Sequence, residues 1–180
     1  MAAGVPGVSA AFAATGVVAL AVKAFRLPAA EPGPAHSLAA MKPVFVVTAA
    51  WICLLYVFFM LQSVTAFTEH ARLKKAAKAK DEKLPSFASV KYGQVPSMAV
   101  LATTRTVGNY LEQAFPFLLS MYMHAVLVDV NVAAMCGWIW LFARCYYPLV
   151  FRVPFPGVLL STAPAYGAII YMLSAAMLAF

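Results

Sequence analysis

Long apolar runs divided by short polar or proline-rich stretches organise this chain. The first strong run covers 43–67 and holds Trp51 and Tyr56 but no charged residue. A second covers 97–128, a third 132–151, and a fourth ends at Phe180. Each is long enough to cross a hydrocarbon core, which takes about 20 apolar residues in a helix. The apolar positions are continuous rather than alternating, so helices are favoured over a barrel, and lipid permits only those two architectures. Between the runs lie a polar loop over 69–96, a tight Asp129-Val130-Asn131 connection, and a turn built on Pro154, Pro156 and Gly157. A weaker Ala- and Gly-rich stretch over 8–22, followed by Lys23 and Arg26, predicts an extra N-terminal helix that spans or lies in the interface. No basic residue precedes that stretch, as a secretory signal would want. Pro28, Pro32, Gly33 and Pro34 then make a linker. The expected fold is all-α: an integral membrane four-helix bundle over 43–180, with residues 1–42 as an N-terminal extension.

Composition sharpens this. The chain is 64% hydrophobic and 11% charged, where a soluble domain carries about 25% charged residues. A water-soluble fold of this size has no way to hide so much apolar surface. The formal charge of +7 raises nucleic acid as a partner, but the basic excess is concentrated between two apolar runs. Arg72, Lys74, Lys75, Lys78, Lys80, Lys83 and Lys91 stand there against three acids. Such a segment sets topology and favours anionic lipid headgroups. Alternation of the helices places it on the same side as Arg144 and Arg152, so that side is expected to be cytosolic or its equivalent, in the endoplasmic reticulum or an organelle membrane. Cys53, Cys136 and Cys145 all lie in apolar runs without metal-ligand spacing, and read as buried free thiols.

The candidate chemistry lies in the second run. Arg105, Asn109 and Glu112 are spaced by four and then three residues, which gathers them within roughly 60° on a helix. Pro116 joins the same wedge and leaves the Glu112 carbonyl without its helical partner. Charges at membrane depth cost about 3 kcal/mol each on insertion scales and mark function by default. One reading is a structural salt bridge; the other is a polar ligand cleft, shared with Arg144, Tyr146 and Tyr147 at the same end of the third run. Such a cleft suits a small zwitterionic peptide such as glutathione. Arginines hold carboxylates in bidentate fashion, a glutamate holds an ammonium, and a nearby cation or hydroxyl lowers a thiol pKa. His124 reads as a packed histidine, and His36 and His70 as solvated ones. Pro164 frees the Leu160 carbonyl close to Ser161.

These residues carry a resemblance. RTVGNYLEQAFPFL, Arg105 to Leu118, resembles the second-helix signature of the MAPEG family; LFARCYY, Leu141 to Tyr147, is similar to its third-helix Arg/Tyr motif, and STAPAY, Ser161 to Tyr166, to the start of its fourth helix. The resemblance covers roughly 43–180. It implies a homotrimer of four-helix subunits, with glutathione as cosubstrate, no metal, and the ligand bound between neighbours near the cytosolic face. Arg105, Asn109, Glu112, Arg144 and Tyr147 would be the glutathione contacts, in a microsomal-type transferase or peroxidase acting on lipophilic electrophiles. Three positions depart from the pattern. The family's thiolate-stabilising Arg falls on Ser161, a Tyr falls on Phe151, and a frequent His falls on Val107. Ser161 and Arg152 are then the candidates for stabilising the thiolate. The departures echo the branch of the family without transferase chemistry, so the alternative is a non-catalytic scaffold or accessory subunit of a larger membrane complex. A third idea, a proton pathway through Glu112 and His124, lacks a polar chain between the two.

Overall fold

Pro43 sits in the first turn of the first helix, where a fixed φ helps and the missing N–H costs nothing. From there α1 runs Lys42–Ala79, 38 residues without a break, in a computed structural model that describes residues 33–179. At 1.5 Å per residue α1 is about 57 Å long, well beyond a hydrocarbon core of about 30 Å. The sequence predicts a loop from Glu69 onward; the helix instead continues to Ala79. The reason is local. The stretch after Glu69 is rich in Ala, Lys, Arg and Leu, all strong helix formers, and Arg72 forks onto Glu69 at 2.8 and 2.9 Å. Asp81, with φ of +55°, turns the chain back. The expected N-terminal helix over 8–22 lies outside the described residues.

After that reversal α2, Phe87–Lys91, is capped by the Ser86 hydroxyl, which accepts from the Ser89 N–H at 3.0 Å. It folds onto α1: Phe87 stacks on Phe67 at 4.6 Å, and His70 Nε2 hydrogen-bonds the Pro85 carbonyl at 3.1 Å. His70 is therefore a fastening and not a solvated side chain, whereas His36 is exposed.

The predicted second span is two helices, α3, Met98–Glu112, and α4, Ala114–Leu127. They part at Gln113, three residues before Pro116, whose absent N–H removes one rung of the ladder. Next, α5 spans Val130–Cys145, starting two residues ahead of the predicted run because Asp129 caps it. The short α6, Tyr147–Val150, follows. A turn in which Gly157 N–H donates to the Pro154 carbonyl at 2.9 Å leads to α7, Leu159–Leu178. Among the described residues there is no strand, and the fold is the all-α one expected. Taken singly, α1 and α7 are long and apolar enough to cross a membrane.

Helix α5 is central, packed on α1, α4 and α7, while α3 lies along α1. Lipid offers no hydrophobic push between helices, so close packing of small residues must hold them. Ala133, Ala143, Ala165 and Ala168 are buried at these seams. At Gly137 a Cβ would meet Val47 Cγ1 at 2.6 Å and Met121 Sδ at 2.9 Å, so only hydrogen fits where α1, α4 and α5 converge. Beside it Trp140 stacks on Phe117 at 4.1 Å, and Tyr110 stacks on Trp51 at 5.4 Å. Each such pair contributes about 0.5–1.5 kcal/mol beyond its burial. Met60, Phe142 and Ile170 point outward with other large apolar side chains, as lipid-facing surfaces require. Cys136 is buried, but Cys53 is exposed and Cys145 half-buried; all three thiols are free.

Candidate functional site

Helices α4 and α5 form an antiparallel hairpin about Asp129, so residues equally far from that turn share a height. Gln113 lies sixteen residues before Asp129 and Arg144 fifteen after it. Their side chains meet: Arg144 Nη2 donates to Gln113 Oε1. Four residues further from the turn on one side and three on the other, Asn109 Nδ2 donates to Tyr147 Oη at 2.9 Å. Hairpin geometry has stacked two polar pairs in adjacent layers at the basic-side end of the bundle. Of the five expected ligand contacts, three are thus brought together: Asn109, Arg144 and Tyr147.

Arg144 is the unusual member. It is 1% exposed, with its guanidinium 5.3 Å from the Trp140 ring and 5.6 Å from that of Tyr147. Among the described residues, Nε and Nη1 have no hydrogen-bond partner, and no carboxylate pairs with Arg144. A buried charge normally has its donors satisfied, because the desolvation penalty runs to several kcal/mol, and buried polar atoms left without partners are rare enough to need a reason. The two aromatic faces recover part of that cost. Two free donors on a cation remain, next to a tyrosine hydroxyl and an amide.

Arg105 and Glu112 lie on the outer side of the same region, both exposed. Among the described residues the one ion pair is Glu69–Arg72, so Arg105 and Glu112 are not locked together. With Arg144, both lie within electrostatic reach of the Tyr147 hydroxyl. Among the described residues a cation and an anion therefore stand without an ion-pair partner on the surface of the bundle, adjoining a buried cation with free donors.

The candidates for thiolate stabilisation lie elsewhere. Ser161 is fully buried, and its hydroxyl donates its single proton to the Ala143 carbonyl at 2.6 Å, an acceptor left over in the last turn of α5. The Leu160 carbonyl freed by Pro164 accepts from Tyr146 Oη at 2.8 Å. Ser161 and Tyr146 thus join α7 to the end of α5. Arg152 is exposed in the turn beyond α6. Phe151 leans on Tyr147 at 5.9 Å. Gln113 and Trp140 were not anticipated as site residues. Counting outward from Asp129 would have found Gln113, since that arithmetic needs only the sequence.

At the other end of the hairpin the Asp129 carboxylate is saturated, although the buried His124 Nε2 has no partner among the described residues. Asp129 Oδ1 accepts from the N–H groups of Asn131 and Val132 at 2.8 and 2.9 Å, and Oδ2 from Gly33 at 2.8 Å. Burial pushes its carboxyl pKa up, but these three bonds outweigh it and hold the value below the ordinary one. His124, as expected, is packed: it is fully buried, with Nδ1 3.0 Å from the Asp129 carbonyl oxygen and its ring 5.8 Å from that of Tyr171.

In comparison with known proteins, the model of the MAPEG family matches residues 44–179. No curated protein and no solved structure matches the chain.

Proposed function

Because the chain belongs to the MAPEG family, membrane proteins of eicosanoid and glutathione metabolism, we propose that it binds glutathione and acts on lipophilic electrophiles as a microsomal-type transferase or peroxidase. The observation that carries this reading is Arg144: a buried guanidinium with two unused donors and no counter-anion among the described residues. A carboxylate or thiolate placed against Nε and Nη1 would supply the missing partners. The Asn109–Tyr147 pair would hydrogen-bond the peptide amides. Arg105 and Glu112 would hold the ligand's remaining carboxylate and its ammonium. Desolvation strengthens each of these pairings.

Arg105 and Glu112 also bear on assembly. Two exposed charges at that depth are costly against hydrocarbon, so a neighbouring subunit covering them, in a homotrimer with the ligand between subunits, answers the cost. The basic 69–96 segment then belongs on the cytosolic or equivalent side of an endoplasmic reticulum or organelle membrane. In the reaction the thiol proton passes to solvent and the thiolate sulfur bonds to the electrophilic carbon, whose leaving group departs with the bonding pair.

One observation favours a second reading. The Ser161 hydroxyl is committed to the Ala143 carbonyl, so it has no proton to offer a thiolate in this arrangement. That supports a non-catalytic scaffold or accessory subunit in a larger membrane complex, which keeps the site but not the activation. Two measurements on purified protein separate the readings. Titration calorimetry with millimolar glutathione tests binding; conjugation of a chromogenic electrophile tests catalysis, with Arg105→Ala and Glu112→Gln as controls. Binding with a conjugation rate above both controls supports the transferase. Binding with no rate above the uncatalysed one leaves the scaffold, and no binding removes glutathione altogether.

A further inference from the structure

At the basic end of the bundle, away from Arg144, the strap joining α2 to α3 closes a half-open groove of about 560 Å³ against α1 and α3. This volume lies within the range of small-molecule sites, roughly 300–1,000 Å³. Its lining is mainly apolar, with Met98 and Leu101 on the α3 wall. Gln62 and Thr104 mark the deep end and bond each other, Gln62 Nε2 donating to Thr104 Oγ1 at 3.3 Å. Lys91 and Tyr92 mark the other end, with Lys91 Nζ 5.4 Å from the Tyr92 ring centroid. Between these two ends the apolar lining offers a surface an alkyl chain can lie against.

The groove is amphipathic along its length. Thr104 is seven residues beyond Ser97 on α3, and Gln62 seven before Glu69 on α1, so the deep end lies about 10 Å further toward the bilayer than the mouth. Cation and aromatic sit at the mouth, hydrocarbon below. The wall is fastened by the Phe67–Phe87 stack, the His70–Pro85 hydrogen bond and buried Val90. The surrounding field also has one sign. Seven basic residues and three acids lie between Glu69 and Lys91, and one of those acids is already paired with Arg72.

The geometry points to a binding site for an anionic phospholipid of the basic-side leaflet, its acyl chain in the groove along Met98 and Leu101 and its phosphate on Lys91. Charge complementarity selects this occupant: anionic lipid is drawn to such a basic segment near the membrane surface, and a zwitterionic lipid gains no such attraction. The site lies within one subunit and is independent of the glutathione reading.

The test uses the full chain in nanodiscs with a trace of photo-crosslinking phospholipid carrying a diazirine on its acyl chain, either anionic phosphatidylglycerol or zwitterionic phosphatidylcholine, and peptide mapping by mass spectrometry. Labelling should fall on the peptide containing Met98, Leu101 and Thr104, at least fivefold more with the anionic probe. Lys91→Glu should abolish that preference and Lys91→Arg retain it, while Leu101→Trp, which fills the groove, should reduce labelling at least fivefold with unchanged unfolding temperature. Equal labelling by the two probes overturns the headgroup assignment. Labelling confined to other peptides overturns the site.

Discussion

The two ends of the α4–α5 hairpin handle buried polarity in opposite ways. At the Asp129 end the carboxylate accepts three N–H groups and His124 bonds the adjacent carbonyl; its charge is satisfied by the chain itself. At the Arg144 end a guanidinium is buried with two donors unused and no anion beside it among the described residues. Each end leaves a buried nitrogen without a partner among the described residues, His124 Nε2 at one and Arg144 Nε and Nη1 at the other, but only the Asp129 end satisfies its charge. A saturated cluster stabilises a turn, whereas an unsaturated one costs stability unless something else completes it. That difference runs alongside one of burial, since Asp129 is half-buried and Arg144 fully buried.

The comparison breaks most readily at Arg144. Arg144→Met should weaken glutathione binding by 100-fold or more in calorimetry, in line with about 2–5 kcal/mol for removing one partner of a buried charge pair. The same variant should unfold at an equal or higher temperature, because it removes an uncompensated charge. A large drop in unfolding temperature with affinity intact would put Arg144 with Asp129, as a structural group.

Gly137→Val should act the other way round. The added atoms collide with Val47 and Met121, at a cost of about 1–3 kcal/mol for overpacking, read as earlier unfolding in SDS titration. Glutathione affinity of the remaining folded protein should stay within twofold.

Asp129→Ala removes an N-cap and should cost about 1 kcal/mol, up to about 2. The wild-type contribution also depends on pH. The folded carboxyl pKa lies below its ordinary value, so the stabilisation is full above the unfolded pKa and is lost as pH falls through the folded one, beginning below about pH 5. Asp129→Asn should keep most of the cap and lose this acid sensitivity, while a variant with an unchanged acid-unfolding profile contradicts the assignment. Glu69, held below its ordinary pKa first by the hydrogen bond from Arg72, pairs with a solvent-exposed guanidinium, so its share should be smaller.

The smallest effect is expected at the second polar layer. Tyr147→Phe leaves the Asn109 amide without its acceptor, for about 1 kcal/mol. A double-mutant cycle with Asn109→Leu should recover a coupling of about 0.5–1.5 kcal/mol, and a coupling near zero would detach this pair from the site.

Much of this was readable in advance. The apolar runs predicted α1, the α3–α4 pair, α5 and α7, because a helix in lipid must satisfy its own backbone whatever its neighbours do. Pro164 predicted a free Leu160 carbonyl, and Tyr146 fills it. Asn109 and Tyr147 were placed in one cleft, and they touch. The overrun of α1 past Glu69 was missed because charge was read as a loop signal, although the same residues are strong helix formers. The break at Gln113 was missed because Pro116 was read for the carbonyl it frees and not for the turn it disrupts.

What the chain determined alone is therefore its solvent, its helical class and the heights at which polar residues sit, since these depend on composition, local hydrogen bonding and distance from a turn. Tertiary structure decided which of those residues have partners. Ser161 finds the Ala143 carbonyl, Gln113 takes one donor of Arg144, and Arg105 and Glu112 find nothing within the described residues. The physical reason is rotation: a helix's orientation about its own axis is set by how ridges and small residues of its neighbours interlock, and no single segment carries that information.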